Sequence, residues 1–268
     1  MGGTPALAFQ PAVDLATGGL LGFEALLRWP DSAGKIIPPE DLVVWAEIHG
    51  HLAALNGWVV EEACAQAARW PSKLQVSVNC SLFQLGVNEA AQAAITGLRH
   101  AHLRPDRLSI EITETSVATG PVADGLCAMA RVGIQVSVDD TVSPRSISPH
   151  LRDCAVNTVK IDAPLIRWIA EPQSRSRAIV ETIIRMSHSL GISTVAEAVE
   201  RQEQVMVLRE LGADAAQGYF FSPPLDAASA HELAAMSPPP RFDLTRQAAR
   251  WSSLDPFACW SLDTLNLN

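Results

Sequence analysis

Short apolar runs rich in β-branched residues recur along the chain, and longer helical patterns separate them. The runs cover residues 74–78, 108–110, 134–138, 157–159, 192–196 and 213–216. Helices are predicted at 39–49, 52–69, 86–99, 117–131, 163–190, 201–211 and 226–235. Strands that alternate with helices favour a parallel sheet. Each strand and helix together are long enough for a right-handed crossover, which takes about a dozen residues.

The first two apolar runs depart from this alternation. They cover residues 6–14 and 20–29, and the turn Ala16-Thr-Gly-Gly19 joins them. Two apolar runs around a Gly-Gly turn predict a hairpin, so one strand should run against the others. The expected fold is an α/β, TIM-like (β/α)8 barrel with one antiparallel strand near the N-terminus. A length of 268 residues is usual for one such barrel, although it also allows two smaller domains.

The last part of the chain has a different composition. Ser237-Pro-Pro-Pro240 should end the final helix, because proline cannot donate to the helical ladder and disfavours helix in the residue before it. We therefore expect a barrel over residues 1–236 and a C-terminal extension over 237–268. Trp251, Phe257 and Trp260 predict that this extension docks on the barrel or on a neighbour.

Composition and charge narrow the classes of function. A net charge of -9 and a pI near 5.2 give no electrostatic footprint for a nucleic-acid polymer. No apolar run reaches the length of about 18 residues that a membrane span needs, and the N-terminus lacks a signal-peptide pattern. The five cysteines are odd in number and contain no CxxC pair, which argues against a zinc site or a disulfide framework. We expect reduced thiols in a cytoplasmic protein.

Polar side chains stand at the ends of successive predicted strands. They are Asn79, Glu111, Asp139, Asp140, Lys160, Glu197 and Gln217, and Glu24 lies within the second run. One acidic residue at a strand end is often only a helix cap or a solvated loop residue. The ends of parallel strands meet at one mouth of a barrel, however, so the recurrence favours a shared site. Carboxylate and amide oxygens suit Mg²⁺ or Mn²⁺, and the pattern predicts a metal-dependent enzyme with a helper lysine.

The same residues carry a resemblance to the EAL-domain family of cyclic di-GMP phosphodiesterases. Glu24-Ala-Leu26 resembles the family signature. The other matching segments follow in the family's order: Phe9-Gln-Pro11, Val78-Asn-Cys-Ser81, Ile110-Glu-Ile-Thr-Glu114, Asp139-Asp140, Lys160-Ile-Asp162, Ala196-Glu-Ala-Val-Glu200 and Gln217-Gly-Tyr219. The resemblance covers residues 6 to 235.

The resemblance implies a reaction and a set of roles. The reaction is hydrolysis of one phosphodiester bond of cyclic di-GMP to linear pGpG, with two Mg²⁺ or Mn²⁺ ions. The implied metal ligands are Glu24, Asn79, Glu111, Asp139, Asp140 and Glu197. Lys160 would orient the attacking water, with Glu197 and Glu24 as further catalytic residues, and the implied substrate contacts are Gln10, Arg28 and Gln217. The implied partners are cyclic di-GMP itself and a second copy of the chain or a fused regulatory domain.

One segment departs from the family pattern. After the aspartate pair the family has Phe-Gly-Thr-Gly-Tyr-Ser-Ser, whereas this chain has Thr141-Val-Ser-Pro-Arg-Ser-Ile147. Val142 and Pro144 replace two glycines, and neither accepts a positive φ readily. Glu114, which resembles the glutamate that anchors this loop, is retained. We expect ligand binding to survive and turnover to be weaker; the alternatives are a non-enzymatic cyclic di-GMP sensor and a protein-interaction domain.

Overall fold

The computed structural model describes residues 3–71, 73–80, 87–113, 120–144, 156–171 and 173–245. Eight strands form a closed barrel: β1 (Ala6–Asp14), β2 (Leu20–Pro30), β4 (Gln75–Asn79), β5 (Leu108–Thr113), β6 (Gln135–Thr141), β7 (Thr158–Ile161), β8 (Ser193–Ala196) and β9 (Ala215–Ala216). A further two-residue strand, β3 (Ile36–Ile37), pairs with the outer end of β2. The TIM-like α/β barrel expected from the sequence is confirmed.

Strand β1 is the antiparallel member of the barrel. It pairs antiparallel with β2, where Gln10 lies opposite Glu24, and antiparallel with β9. The other barrel pairs, from β2–β4 round to β8–β9, are parallel. The β1–β2 turn is closed by Asp14, whose Oδ1 accepts hydrogen bonds from the backbone N–H groups of Ala16 and Thr17. The predicted hairpin and reversed strand are therefore both confirmed.

Helices follow the strands and cover the outside of the barrel. They are α1 (Pro39–Ile48), α2 (Leu52–Ala68), α3 (Val87–Ala101), α4 (Gly120–Arg131), α5 (Ala163–Arg167), α6 (Arg175–Ser189), α7 (Gln202–Leu211) and α8 (Ala227–Ala235). The single helix expected over 163–190 is wrong, because α5 and α6 are separate. Ser174 caps α6 through a hydrogen bond from the N–H of Ser176, and Pro172 disfavours helix in the residue before it.

The two faces of each strand have different partners. On β5, Ile110 and Ile112 are each 1% exposed and belong to the apolar core, whereas Ser109 and Glu111 line the barrel interior. The interior holds a cavity of about 450 Å³. Several of its lining residues are small: Ala12, Gly22, Ser77, Ser109, Ser137 and Ala215. Barrel interiors are usually filled by large branched side chains, so this one leaves unusual space beneath its mouth.

The start of the C-terminal extension docks on the β1–β2 turn. The N–H of Phe242 donates to the carbonyl of Gly18 at 2.8 Å, and the Phe242 ring lies edge-on to Phe221. Phe242 is 4% exposed. Residues 246–268, with the three aromatic residues of the extension, lie outside the described residues. The boundary at 236 and the docking of the whole extension stay predictions.

Two further sequence expectations concern membrane-spanning segments and the cysteine thiols. No helix in the described ranges is long and apolar enough to cross a membrane. Cys64, Cys80 and Cys127 are free thiols in the described structure. Burial raises the pKa of the Cys64 and Cys80 thiols to about 12, so both stay protonated and unreactive.

A buried arginine ties the barrel to its outer layer. Arg107 is 6% exposed; its Nε donates to the carbonyl of Leu74 at 2.7 Å and its Nη2 to the carbonyl of Ala67 at 2.6 Å. These bonds satisfy a carbonyl at the end of α2 and one just before β4.

Arg107→Met should lower the free energy of unfolding by about 2 to 4 kcal/mol, because it removes two buried hydrogen bonds from a charged donor. The matched change Arg185→Met removes an exposed guanidinium 3.9 Å from Glu181 and should cost less than about 0.5 kcal/mol. Urea unfolding followed by circular dichroism compares the two. Equal losses would contradict a structural role for Arg107.

Candidate active site

Strand register brings the candidate residues to one mouth of the barrel. Asn79 pairs with Glu111 across β4 and β5, and Asp139 pairs with Thr113 across β5 and β6. Lys160 stands one residue before the end of β7. Glu197 and Gln217 directly follow β8 and β9, and their backbone N–H groups donate to the carbonyls of the strand ends beside them.

The ammonium of Lys160 lies at the centre of four carboxylates. Its Nζ is 2.6 Å from Glu197 Oε1, 2.8 Å from Glu111 Oε2 and 3.2 Å from Glu24 Oε2. Asp139 Oδ1 is 3.7 Å away. Lys160 is 2% exposed, so these charges interact with little water between them. We call Lys160, Glu24, Glu111, Asp139 and Glu197 the lysine–carboxylate cluster.

Two amides complete the hydrogen bonding of Glu24. Asn79 Nδ2 donates to Glu24 Oε1 at 2.7 Å. Gln217 Nε2 donates to Glu24 Oε2, and also to Glu197 Oε1 at 3.2 Å. Together with Lys160, these donors satisfy a carboxylate that is 5% exposed. Glu24 is therefore held in one orientation by three different strands.

Burial and neighbouring charges separate the pKa values of the carboxyl groups. Burial alone would raise the pKa of Glu24, but the Lys160 ammonium and the hydrogen bonds from Gln217 and Asn79 lower it below its usual value. Burial, with the charge of Glu24 beside it, raises the pKa of Glu111 to about 8. Burial likewise raises the pKa of Glu197 to about 8. Of these three glutamates, Glu24 is thus the one that stays ionised.

The lysine stays charged in this surrounding. Burial lowers a lysine pKa, but Glu111, Glu24, Glu197 and Asp139 outweigh it and hold the pKa of Lys160 well above its usual value. The cluster consequently combines a permanent ammonium with two carboxyl groups that readily take up protons.

The aspartate pair sits on an irregular strand end. The β6–β7 register shifts between Val138 and Thr141, and Asp140 has a left-handed φ of 56°. The N–H of Asp140 donates to Asp139 Oδ1 at 2.9 Å. Asp139 faces Lys160, while the Asp140 residue is largely exposed. Partial desolvation of the Asp140 carboxyl group, together with the charge of Asp139, raises its pKa. The bulge therefore gives the two neighbours different surroundings.

Two of the three candidate substrate contacts, Gln10 and Arg28, lie on the β1–β2 pair. Gln10 lies opposite Glu24, and its Nε2 donates to the carbonyl of Ser222 at 3.4 Å. Arg28 is on the same face of β2 as Glu24, about 13 Å further along the strand at about 3.3 Å per residue. Its Nη1 donates to the carbonyl of Leu27 at 3.0 Å. The structure brings Gln10 beside Glu24 and places Arg28 further out.

The carboxylate and amide oxygens of these side chains are ligands that a hard divalent cation prefers. Within the ranges that the structure describes, however, no three histidine, cysteine, aspartate or glutamate side chains are set to hold a metal ion. The candidate ligands instead surround the Lys160 ammonium. A cation would have to share or take over carboxylates that now contact the lysine.

The altered loop is only partly within the described residues. Thr141 is buried, and Val142 is 46% exposed. Residues 145–147 and the candidate loop anchor Glu114 lie outside the described residues. The contact between that anchor and the loop stays a prediction.

Sequence reasoning missed the backbone contact that holds Glu197 and Gln217 together. Gly218 has a φ of +148°, and a Cβ built on it would lie 2.2 Å from the backbone nitrogen of Val199. The glycine directly after Gln217 was the only sequence signal for a close approach of this kind.

Comparison with known proteins identifies a family and several relatives of this chain. The sequence pattern of the EAL domain matches residues 2–224. An uncharacterized protein of Sinorhizobium fredii is 34% identical, with 84% of this chain and 27% of that protein covered. The cyclic di-GMP phosphodiesterase NbdA of Pseudomonas aeruginosa is 31% identical, with 85% of this chain and 30% of that protein covered. The chain therefore spans less than a third of these relatives' length.

Solved structures share the architecture. The PaMucR phosphodiesterase in complex with c-di-GMP superposes with a TM-score of 0.76 at 28% identity, covering 84% of this chain and 93% of that one.

Glu24→Gln should lower the free energy of unfolding by about 3 kcal/mol near pH 7 without divalent ions, because it removes a carboxylate that the buried Lys160 ammonium holds ionised. Glu111→Gln should change it by less than about 1 kcal/mol, since a carboxyl group with a pKa of about 8 is mostly neutral there. Urea unfolding with a chelator measures both. Equal losses would contradict the assigned charge states.

The two variants should also differ in pH dependence. The folded pKa of Glu24 is below 4.5, so its contribution is present above the unfolded value and disappears as the pH falls through the folded one. The folded pKa of Glu111 is about 8, so ionising it costs stability as the pH rises from 4.5 towards 8. Glu111→Gln should reduce that loss directly. Glu24→Gln should remove the loss of stability at acid pH, and should weaken the loss above pH 4.5 only through the pKa of Glu111, which the Glu24 charge helps to raise.

Proposed function

The chain belongs to the EAL domain family, and from this premise we propose that it hydrolyses one phosphodiester bond of cyclic di-GMP to linear pGpG with a divalent metal. The observation that carries the proposal is the convergence of four carboxylates on the buried Lys160 ammonium. Burying so many charges is costly, and a barrel that served only as a scaffold would gain nothing from it. The relatives support the substrate, since NbdA is a cyclic di-GMP phosphodiesterase.

Mg²⁺ or Mn²⁺, as two ions, is part of the proposal. The residues that would hold them are Glu24, Asn79, Glu111, Asp139, Asp140 and Glu197. Asn79 uses its amide nitrogen on Glu24, so its oxygen is the atom that would face a cation. Bound metal would supply an activated water and neutralise charge on the phosphate.

Lys160 has a second role in this proposal. An ammonium has three hydrogens, and the carboxylates of the cluster now receive them. With some of those carboxylates engaged by a metal, the Lys160 ammonium would have hydrogens free to orient the attacking water and stabilise charge on the phosphoryl oxygens. Glu197, which lies 2.6 Å from Lys160 and has a pKa of about 8, would donate or accept a proton beside it.

The substrate contacts follow from position along the strands. Gln10 and Gln217 flank Glu24 at the mouth. Arg28 lies about 13 Å further along β2, where its planar guanidinium suits two oxygens of one phosphate. A cytoplasmic location, and pairing with a second copy or with a fused regulatory domain, complete the proposal.

The test is pGpG formation from cyclic di-GMP with Mn²⁺, followed by chromatography. The unchanged chain should form product, and Glu24→Ala should lower kcat by about a hundredfold or more, because it removes a group at the reacting centre. Glu203→Ala, an exposed glutamate at the start of α7, is the matched control and should keep full activity.

No product above the Glu24→Ala background would overturn the proposal. Cyclic di-GMP binding without hydrolysis would favour the sensor alternative. Absence of both binding and hydrolysis would favour a protein-interaction domain.

The loop supplies a separate prediction. Replacing Val142 and Pro144 together by glycine should raise kcat by about tenfold with little change in KM, since a loop that closes over a site governs kcat without contacting substrate. The cost in folding stability should be about 0.5 to 1 kcal/mol at each site. Steady-state kinetics with Mn²⁺ measures the gain. An unchanged kcat in a folded double variant would mean that the rigid residues do not limit turnover.

A further inference from the structure

Gly218 makes the closest backbone approach at the barrel mouth. A Cβ built on it would lie 2.2 Å from the backbone nitrogen of Val199 and 2.3 Å from its carbonyl oxygen. Real Cβ contacts essentially never fall below 3.0 Å, and here the opposing atoms are backbone. The φ of +148° independently disfavours any L side chain. No other residue type fits without moving the segment that contains Val199.

Three backbone hydrogen bonds join the two segments around this contact. The N–H of Gln217 donates to Ala196 at 2.9 Å, and the N–H of Val199 donates back to Gln217 at 3.0 Å. The N–H of Phe220 donates to Val199 at 2.8 Å. Residues 196–199 and 217–220 therefore form one hydrogen-bonded unit, with Gly218 at its closest point.

This unit carries two members of the site. Glu197 and Gln217 extend from its two segments, and their side chains meet where Gln217 Nε2 donates to Glu197 Oε1 at 3.2 Å. Glu197 then contacts Lys160 at 2.6 Å, and Gln217 contacts Glu24. Any widening between the segments must change at least one of these contacts. The spacing of the backbones thus sets the spacing of the functional groups.

We propose that Gly218 is a positioning residue, whose missing side chain sets the distance between Glu197 and Gln217 and so the placement of the Lys160 ammonium. This inference deepens the proposed function and rests on it for its kinetic part. A side chain at 218 must displace the Val199 segment by most of an ångström. Misplacements of about 1 Å in a catalytic group can cost about a hundredfold in rate.

The kinetic test compares Gly218→Ala with Gly191→Ala. Gly191 also has a positive φ, +74°, but a Cβ built there would meet nothing within 4 Å. Gly191 lies before β8, at the end of the strand away from the mouth. Gly218→Ala should lower kcat by about a hundredfold and change KM by a smaller factor, because Gln10 and Arg28 on β1 and β2 stay in place and only Gln217 among the substrate contacts moves. Gly191→Ala should keep kcat within about twofold. Equal kcat values in the two folded variants would overturn the proposal.

A second readout does not depend on turnover. The side-chain amide of Gln217 gives a pair of ¹H–¹⁵N signals, which are assigned by their loss in Gln217→Met. Gly218→Ala should shift these signals, and Gly191→Ala should leave them in place. Unmoved signals in Gly218→Ala would overturn the proposal even in a chain without activity, whereas absence of turnover in the unchanged chain would count only against the proposed function.

A third measurement covers the case in which Gly218→Ala does not fold. In the unchanged chain, the α-protons of Gly218 should give a strong nuclear Overhauser effect to the amide proton of Val199, because the built Cβ position lies 2.2 Å from that nitrogen. A missing cross-peak would mean that the segments are further apart, and the proposal would be wrong.

Discussion

The buried ammonium of Lys160 is the interaction on which the mouth of this barrel depends. Strands β2, β5 and β6 and the segment after β8 each bring one carboxylate within 4 Å of it. Those carboxylates that stay ionised in so dry a place need a counter-charge, because an unpaired buried charge costs several kcal/mol. Lys160 is the one cation that contacts them in the described part of the chain. The charge balance thus fixes where four strand ends lie relative to one another.

Protonation also lets the carboxyl groups lie together without a metal ion. Glu111 and Glu197, with pKa values of about 8, can carry protons when no cation is present, while Glu24 stays ionised. A cation that takes over these oxygens must release those protons, so metal binding and proton release are linked. Lys160 is therefore the structural counter-ion of the carboxylates, and in the proposed function a bound metal would free it for chemistry.

Much of this arrangement follows from the sequence by simple rules. The spacing of hydrophobic residues and the residue composition locate the strands to within a few residues. Parallel strands end at one mouth of a barrel, and this rule predicts that Glu111, Asp139 and Lys160 lie together. The Gly-Gly turn predicts the reversed strand. Assigning roles to these residues required the family resemblance, because charge and spacing alone do not distinguish a ligand from a counter-ion.

Other features depend on contacts that no local pattern encodes. The break between α5 and α6 is an exception, because Pro172 and the Ser174 cap encode it locally, and the expectation of one helix over 163–190 overlooked both. The contact of Gly218 with Val199 joins residues 19 positions apart and arises only when β8 and β9 pair. The grouping of the carboxylates around Lys160 likewise depends on tertiary contacts.

The position of Asp139 also limits what the altered loop can change. Thr141 still pairs with Ile161, and its carbonyl accepts a hydrogen bond from the N–H of Asp162 at 3.3 Å. The strand therefore remains attached to β7 beyond the aspartate pair. Asp139 is held between this pairing and Lys160. A loop that takes another path after Thr141 should therefore leave the lysine–carboxylate cluster in place. We therefore expect the substitutions at 142 and 144 to leave the groups that form the site in place.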